Sequence, residues 1–298
     1  MLKANSMSLI DTHSHLFWDS FKEDLEAVID RATESGVSCV INVGVDVELS
    51  RATTEQAKLE SRSDFKIYSA LAIHPEEGFK YFSPQLSAVS NQLEKDIAEL
   101  ERIYLENKET VIAIGECGLD FSYFTRDGYL PEGLSIQEAK NLQRRLFKAQ
   151  IGLAKKLELP ILIHCRDDRS KNPENTECWD EVVEMTKNHF GIYHCYSGLL
   201  PTTKYILENT NFLLSFAGNL TYPKNDYLKE AVRIVPLERI VLETDCPFLP
   251  PQSIRGKRNE PSSVKEIAEF IAEIKRVSFE EVASLTTENF LKLFKLQS

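Results

Sequence analysis

Five of the six histidines in this 298-residue chain sit in short motifs that each end an apolar, strand-like run. Asp11-Thr12-His13-Ser14-His15 follows Leu9-Ile10. His74 follows Tyr68–Ile73, His164 follows Leu159–Ile163, and His194 follows Gly191-Ile192-Tyr193. Two carboxylates share this setting: Glu116 after Val111–Gly115, and Asp245 after Ile240–Thr244. Imidazole and carboxylate bind divalent metals through nitrogen and oxygen. Such residues at the ends of six separate strands point to one shared metal site, and the chemistry it would perform is metal-dependent hydrolysis.

His13 and His15 are two residues apart, and strand alternation puts residues i and i+2 on one face. Such a pair alone also fits two surface histidines. Glu116, His164, His194 and Asp245 at the other strand ends favour a metal centre. Four imidazoles and two carboxylates are enough for two divalent ions with open positions for water. Nitrogen and oxygen donors suit Mg, Mn, Zn or Co alike.

A scaffold must gather these strand ends on one face. Leu25, Val28, Ile29 and Ala32 recur at helical spacing, Gly36 ends that helix, and Val37–Val43 reads as a second strand. A polar helix over 48–60 precedes a third strand, Ile67–Ile73. Leu93, Ile97, Leu100 and Tyr104 mark a helix before the fourth strand, Val111–Gly115. Leu142, Leu146, Ile151 and Leu153 lie in the next helix, which Pro160 stops as it opens strand five. Trp179, Val182, Val183 and Met185 begin another helical face. Gly191–His194, Phe212–Phe216 and Ile240–Leu242 are strands six to eight, and helices over 262–275 and 278–295 close the chain. The alternation predicts parallel pairing in an α/β fold, a (β/α)8 TIM barrel occupying 1–298 as one domain. Residues 122–134 and 168–176 read as loops after strands four and five, at the catalytic face.

No apolar run approaches the roughly 20 residues of a membrane span. Met1–Ser8 is short and polar, lacks the apolar centre of a signal peptide and reads as a frayed start. The six cysteines include no Cys-x-x-Cys pair, which predicts free thiols in a reducing cytoplasm. A net charge of −11 argues against broad, non-specific coating of DNA, though a local cleft can still accept phosphate.

Six short motifs in order then carry a resemblance. Asp11-Thr12-His13-Ser14-His15, Gly115-Glu116-Cys117-Gly118-Leu119-Asp120, Ile163-His164-Cys165-Arg166, His194-Cys195-Tyr196-Ser197-Gly198, Glu243-Thr244-Asp245-Cys246-Pro247 and Arg258-Asn259-Glu260-Pro261 resemble those of the TatD family of metal-dependent deoxyribonucleases. The resemblance implies an amidohydrolase-type barrel and phosphodiester hydrolysis, often 3′-to-5′ exonuclease action on DNA. It further implies that His13, His15 and Asp245 hold one metal, and that Glu116 bridges to a second held by His164 and His194. Two departures bear on substrate preference. His74-Pro75-Glu76-Glu77 lacks the second histidine that many members carry after the proline, and Ser122–Ser135 is longer than usual.

On this reading, two ions about 3.5–4 Å apart activate water as metal-bound hydroxide, with DNA, or RNA, as the substrate and no membrane or stable protein partner implied. Asp245 is a catalytic candidate as proton acceptor, with ligation alone as the alternative. Glu116 has two oxygens to share between ions, or serves one only. His74 is assigned a hydrogen bond to substrate, with a structural histidine as the competing reading. Arg166 faces the substrate phosphate, or pairs with Asp167 or Asp168. Arg258, in the basic stretch Ser253–Arg258, tracks a nucleic-acid backbone, or ties down Asn259-Glu260-Pro261. Phe17, Trp18, Tyr123, Phe124 and Tyr129 stack on bases or pack a lid. Cys117, Cys165, Cys195 and Cys246 each follow a proposed ligand, and alternation turns them toward the helices as packing thiols rather than ligands. His189 reads as a helix cap or an exposed residue outside the site. Two other functions fit the same residues: an ester or amide hydrolase such as an aminoacyl-tRNA deacylase, and a non-catalytic binding protein with a retained metal site.

Overall fold

The apolar runs become eight strands of one sheet, ordered as in the chain: β1 (Leu9–Ser14), β2 (Val37–Val43), β3 (Lys66–Leu71), β4 (Val111–Asp120), β5 (Ile161–Arg166), β6 (Gly191–Tyr193), β7 (Leu213–Phe216) and β8 (Ile240–Leu242). Every neighbouring pair is parallel. The computed structural model describes residues 8–81, 86–125, 130 and 132–296, with 86–90 as backbone alone. The expected frayed start before Ser8, and Tyr129, lie outside the described residues.

Helices connect the strands, as parallel pairing requires. They are α1 (Leu25–Glu34), α2 (Val47–Glu60), α3 (Leu86–Glu106), α4 (Ile136–Leu157), α5 (Glu177–Thr186), α6 (Leu200–Asn209), α7 (Asp226–Ile234), α8 (Val264–Lys275) and α9 (Phe279–Leu293). With the sheet curled so that β8 returns to β1, this is the predicted TIM barrel of amidohydrolase type. At the seam, the His15 N–H bonds the Cys246 carbonyl at 2.8 Å and the Asp245 N–H bonds the His13 carbonyl at 2.9 Å. The fully buried Asp11 braces the same seam, accepting bonds from Thr244 N–H (2.9 Å) and Thr244 Oγ1 (2.5 Å). Burial pushes the Asp11 carboxyl up to about 8, against those two bonds.

Two apolar layers result. One lies between strands and helices and includes Leu9, Val28, Val40, Ile114 and Cys117. The other fills the barrel interior with Ile10, Ile41, Ala70, Leu162, Ile192 and Val241, joined by Phe290 and Phe294 of α9. α9 sits at the starts of the strands: Thr287 Oγ1 bonds the Ser8 carbonyl (2.6 Å) and Asn289 Nδ2 the Ile240 carbonyl (2.8 Å). The opposite end is left for chemistry. Among the described residues, no helix is long and apolar enough to cross a membrane.

Candidate metal centre

Alternation alone would misplace the key side chains. In β1, Leu9 faces the helices and Ile10 the interior, so strict alternation sends His13 and His15 outward with Leu9. The register with β2 slips between Asp11 and Ser14, where three steps on β1 match two on β2. The extra residue turns both imidazoles toward the barrel mouth. In β4, a slip between Ile114 and Cys117 does the same for Glu116, because Ile114 and Cys117 both face the helices. Bulges at barrel rims commonly re-aim side chains in this way.

The strand ends are also pinned. β4 runs to Asp120, past the expected end at Gly115. Gly118 permits this: at its φ of +153°, a Cβ would sit 1.9 Å from the His164 carbonyl oxygen. β3 instead stops at Leu71, short of the expected Ile73, because α4 takes over the backbone there. Gln150 accepts from the Ile73 N–H and donates to the Ile73 carbonyl, both at 2.8 Å. Gln143 holds Asp120 likewise, at 2.9 and 3.2 Å. A primary amide offers one donor edge and one acceptor edge, which suits the end of a ladder.

Seven side chains meet at the mouth. Glu116 Oε2 lies 3.2 Å from His13 Nε2 and 3.7 Å from His15 Nε2. Asp245 Oδ1 lies 3.4 Å from His15 Nε2 and 3.8 Å from His13 Nε2. The other Glu116 oxygen, Oε1, lies 2.7 Å from both His164 Nδ1 and His194 Nε2. His74 Nε2 approaches the same oxygen at 3.5 Å.

Second carboxylates orient the rings. Asp120 Oδ2 lies 3.1 Å from His164 Nε2, and Glu243 Oε1 lies 3.3 Å from His194 Nδ1 while accepting the Cys195 N–H at 2.6 Å. Neither Asp120 nor Glu243 was singled out in the sequence. A signal was there: Glu243 extends the apolar run Ile240-Val241-Leu242, where an acid must find a partner.

Burial pushes His13 below its ordinary value, and the neighbouring His194 adds to this. Burial opposes charge on the other rings too, but nearby carboxylates outweigh it. Asp245 raises His15, Asp120 and Glu116 raise His164 to about 9, and Glu116 with Glu243 lifts His194 well above the imidazole range. Glu116 and Asp245 are correspondingly held below the usual carboxylate range despite their burial.

These residues fit divalent cations. His15 Nδ1 lies 2.8 Å from the Val43 carbonyl, which can only accept, so in the neutral ring the proton sits there and Nε2 offers its lone pair. That lone pair converges with oxygens of Asp245 and Glu116, a nitrogen and oxygen donor set that suits a divalent cation. Three groups of donor atoms lie within 4.8 Å of one another: His13/His15/Asp245, His13/Glu116/His194 and His74/Glu116/His164. The first is the set expected from the sequence. The third brings His74 closer to the donor set than its substrate-binding assignment implied. Its Nδ1 accepts the Glu76 N–H at 3.2 Å, however, so Nε2 carries the proton and donates.

The remaining candidates separate. Arg166 lies exposed in the cleft, and its guanidinium makes no hydrogen bond or ion pair with any described residue. Asp167 pairs instead with Arg169 (3.2 Å) and accepts the Cys178 N–H (2.8 Å), and Asp168 accepts from Ser170. Arg258 is not brought to the cleft, which corrects its assignment to substrate. Its guanidinium bonds Asp24 at 2.6 and 2.8 Å and lies over Phe21, while Asn259 ties the Thr244 and Phe248 carbonyls. Arg258→Ala should therefore lower stability by about 1 kcal/mol or less in urea unfolding and leave KM for substrate unchanged; a raised KM would return Arg258 to the cleft. Tyr123 stacks on Phe79 at 5.5 Å and Phe124 is buried, so both pack the loop. Cys117, Cys165 and Cys246 join the outer layer, but Cys195, at a φ of +42°, lines the cleft. His189 lies outside the site, its Nε2 buried without a partner.

The cleft above these groups has a volume of about 640 Å³. A family model described as TatD related DNase matches residues 10–295. The chain is 37% identical to an uncharacterized metal-dependent hydrolase, YabD, of Bacillus subtilis, over 97% of this chain and 99% of that protein. It is 30% identical to the human deoxyribonuclease TATDN3, over 98% and 97%. A solved structure of YJJV, a TatD homolog from Escherichia coli, superposes with a TM-score of 0.79 at 23% identity, covering 98% of this chain and 100% of that one.

Proposed function

This chain belongs to the TatD family of metal-dependent hydrolases, and from that premise we propose that it shortens single-stranded or frayed DNA from the 3′ end by phosphodiester hydrolysis. One observation carries the reading: the two oxygens of Glu116 face two separate donor sets, His13 with His15 on one side and His164 with His194 on the other. Glu116 would thus serve two divalent ions, one held by His13, His15 and Asp245 and the other by His164 and His194. Ions bound there polarise phosphoryl oxygens and lower the pKa of coordinated water.

The protein's own groups do the rest. Asp245 is held ionised and reaches into the cleft, so it can take the proton of the attacking water at Oδ1. Asp120 holds the His164 ring through Nε2, leaving Nδ1 toward Glu116, and Glu243 lies 3.3 Å from His194 Nδ1 while His194 Nε2 faces Glu116. His74 offers its Nε2 proton to a phosphate oxygen, and Arg166 offers its exposed guanidinium. The human relative's name, deoxyribonuclease, supports DNA as the substrate. A cytoplasmic location, and one domain over 1–298, belong to the same reading. The six free thiols favour the former.

The test is incubation with a 3′-accessible single-stranded oligonucleotide and Mg or Mn, beside Asp245→Asn. Wild type should shorten the strand progressively, and the variant should be slower by at least about 100-fold. A metal-loaded wild type that leaves the strand intact would overturn the nuclease reading and direct attention to esters and acyl-tRNA.

A further inference from the structure

Two aromatic rings stand half in water at the rim of the cleft, where the hydrolytic groups have no need of them. Trp18 is 38% exposed and Phe248 49% exposed, and both line the cleft. They meet edge to face, with centroids 6.3 Å apart and planes at 80°, and Phe17 packs on Trp18 at 5.3 Å; the exposed parts of the two rings form a corner. The corner is anchored to the site. The Trp18 N–H bonds the His15 carbonyl, and the Phe248 ring lies 6.2 Å from the His15 ring. The Phe248 N–H bonds the Asp245 carbonyl at 2.9 Å, and its own carbonyl accepts from the buried Asn259 at 2.7 Å. Fixed backbone beneath exposed rings is the construction of a stacking platform rather than of a loosely packed loop.

The opposite wall carries Arg166, whose guanidinium has no partner among the described residues. Arg166 ends β5, half the barrel away from the β8–β1 seam that bears Trp18 and Phe248. The neighbouring Arg169 is committed, to Asp167 at 3.2 Å and to the Asn175 carbonyl at 3.3 Å. Glu76 and Glu77 line the wall beyond β3 and disfavour phosphate there. A strand crossing the mouth therefore has an apolar stacking end, a hydrolytic centre and a cationic end at Arg166.

Resting on the phosphodiesterase reading, we propose that the Trp18–Phe248 corner seats the unstacked base of the nucleotide being released, and that Arg166 seats the next phosphate along the strand. A paired base inside a helix has neither face free, so the corner selects single-stranded or frayed termini. Stacking needs only a π face, so all four bases are accepted.

Two measurements test this. Trp179 is fully buried, so tryptophan fluorescence reports on Trp18. Deoxyadenosine monophosphate should change that signal, deoxyribose 5-phosphate should not, and Trp18→Phe should remove the response. In hydrolysis, wild type should show a KM roughly tenfold lower for an oligonucleotide whose 3′-terminal residue carries a base than for one with an abasic terminus. Phe248→Ala should lose that preference, and Arg166→Gln should raise KM for both substrates alike. An undiminished preference in Phe248→Ala, or equal fluorescence responses to the two ligands, overturns the proposal. Should wild type cleave neither oligonucleotide, the nuclease reading fails by itself, and the fluorescence titration still decides the base seat.

Discussion

If two ions are held as proposed, Glu116→Gln is expected to leave a folded protein that has lost hydrolysis by a factor on the order of a thousand or more, the several kcal/mol of charge stabilisation such ions would supply. Glutamine matches the shape of glutamate but carries one acceptor and one donor edge. In the native site both oxygens are used: Oε1 lies 2.7 Å from His164 and His194, and Oε2 lies 3.2 Å from His13. Whichever way the amide turns, one donor set keeps a neutral oxygen and the other meets an N–H. Only one set can then hold an ion. Metal analysis of the purified variant should give at most half the wild-type content, with an unchanged far-ultraviolet circular dichroism spectrum. Full metal content with full activity would show that Glu116 does not bridge, and that each ion is held without it.

The strand ends were legible because chemistry and periodicity coincide there. An apolar run that stops at a histidine reads the same in sequence and in space, and β2 occupies the expected Val37–Val43. What could not be read was the register. The slips at Asp11–Ser14 and Ile114–Cys117 arise from how β1 meets β2 and β4 meets β5, a property of pairs of strands that no single strand displays. Without them His13, His15 and Glu116 would point at the helices. The helices α6 and α7 were also unread. α7 is nine residues long, Asp226–Ile234, and buries Leu228, Ala231 and Val232. Arg258 misled for a related reason. A basic stretch after β8 signals charge near the cleft, but Asp24, which neutralises it, lies more than 200 residues earlier in the sequence. The sequence brought the metal-binding residue types together. It did not separate Arg166, whose guanidinium has no partner among the described residues, from the paired Arg258.

Phe290→Ala should produce the largest loss of stability of any single change considered, about 3–5 kcal/mol. The side chain is fully buried in α9, packs on Phe294 with centroids 4.8 Å apart, and joins Ile10, Ile41 and Val241 in the barrel interior. Truncation would open a cavity walled by eight hydrogen-bonded strands that cannot collapse to fill it. Against a typical total of roughly 5–15 kcal/mol, the urea midpoint should fall steeply. The hydrolytic groups sit at the other ends of the same strands, roughly 20 Å away for a strand of about six residues. They are held by bonds that α9 does not supply: Gln143 and Gln150 on one side, Asp11 and Asn259 on the other. At a temperature where the variant remains folded, kcat and KM should match wild type. A fall in kcat in native buffer would mean that the packed interior transmits strain from α9 to the mouth, and that stability and chemistry in this barrel are not separated by its length.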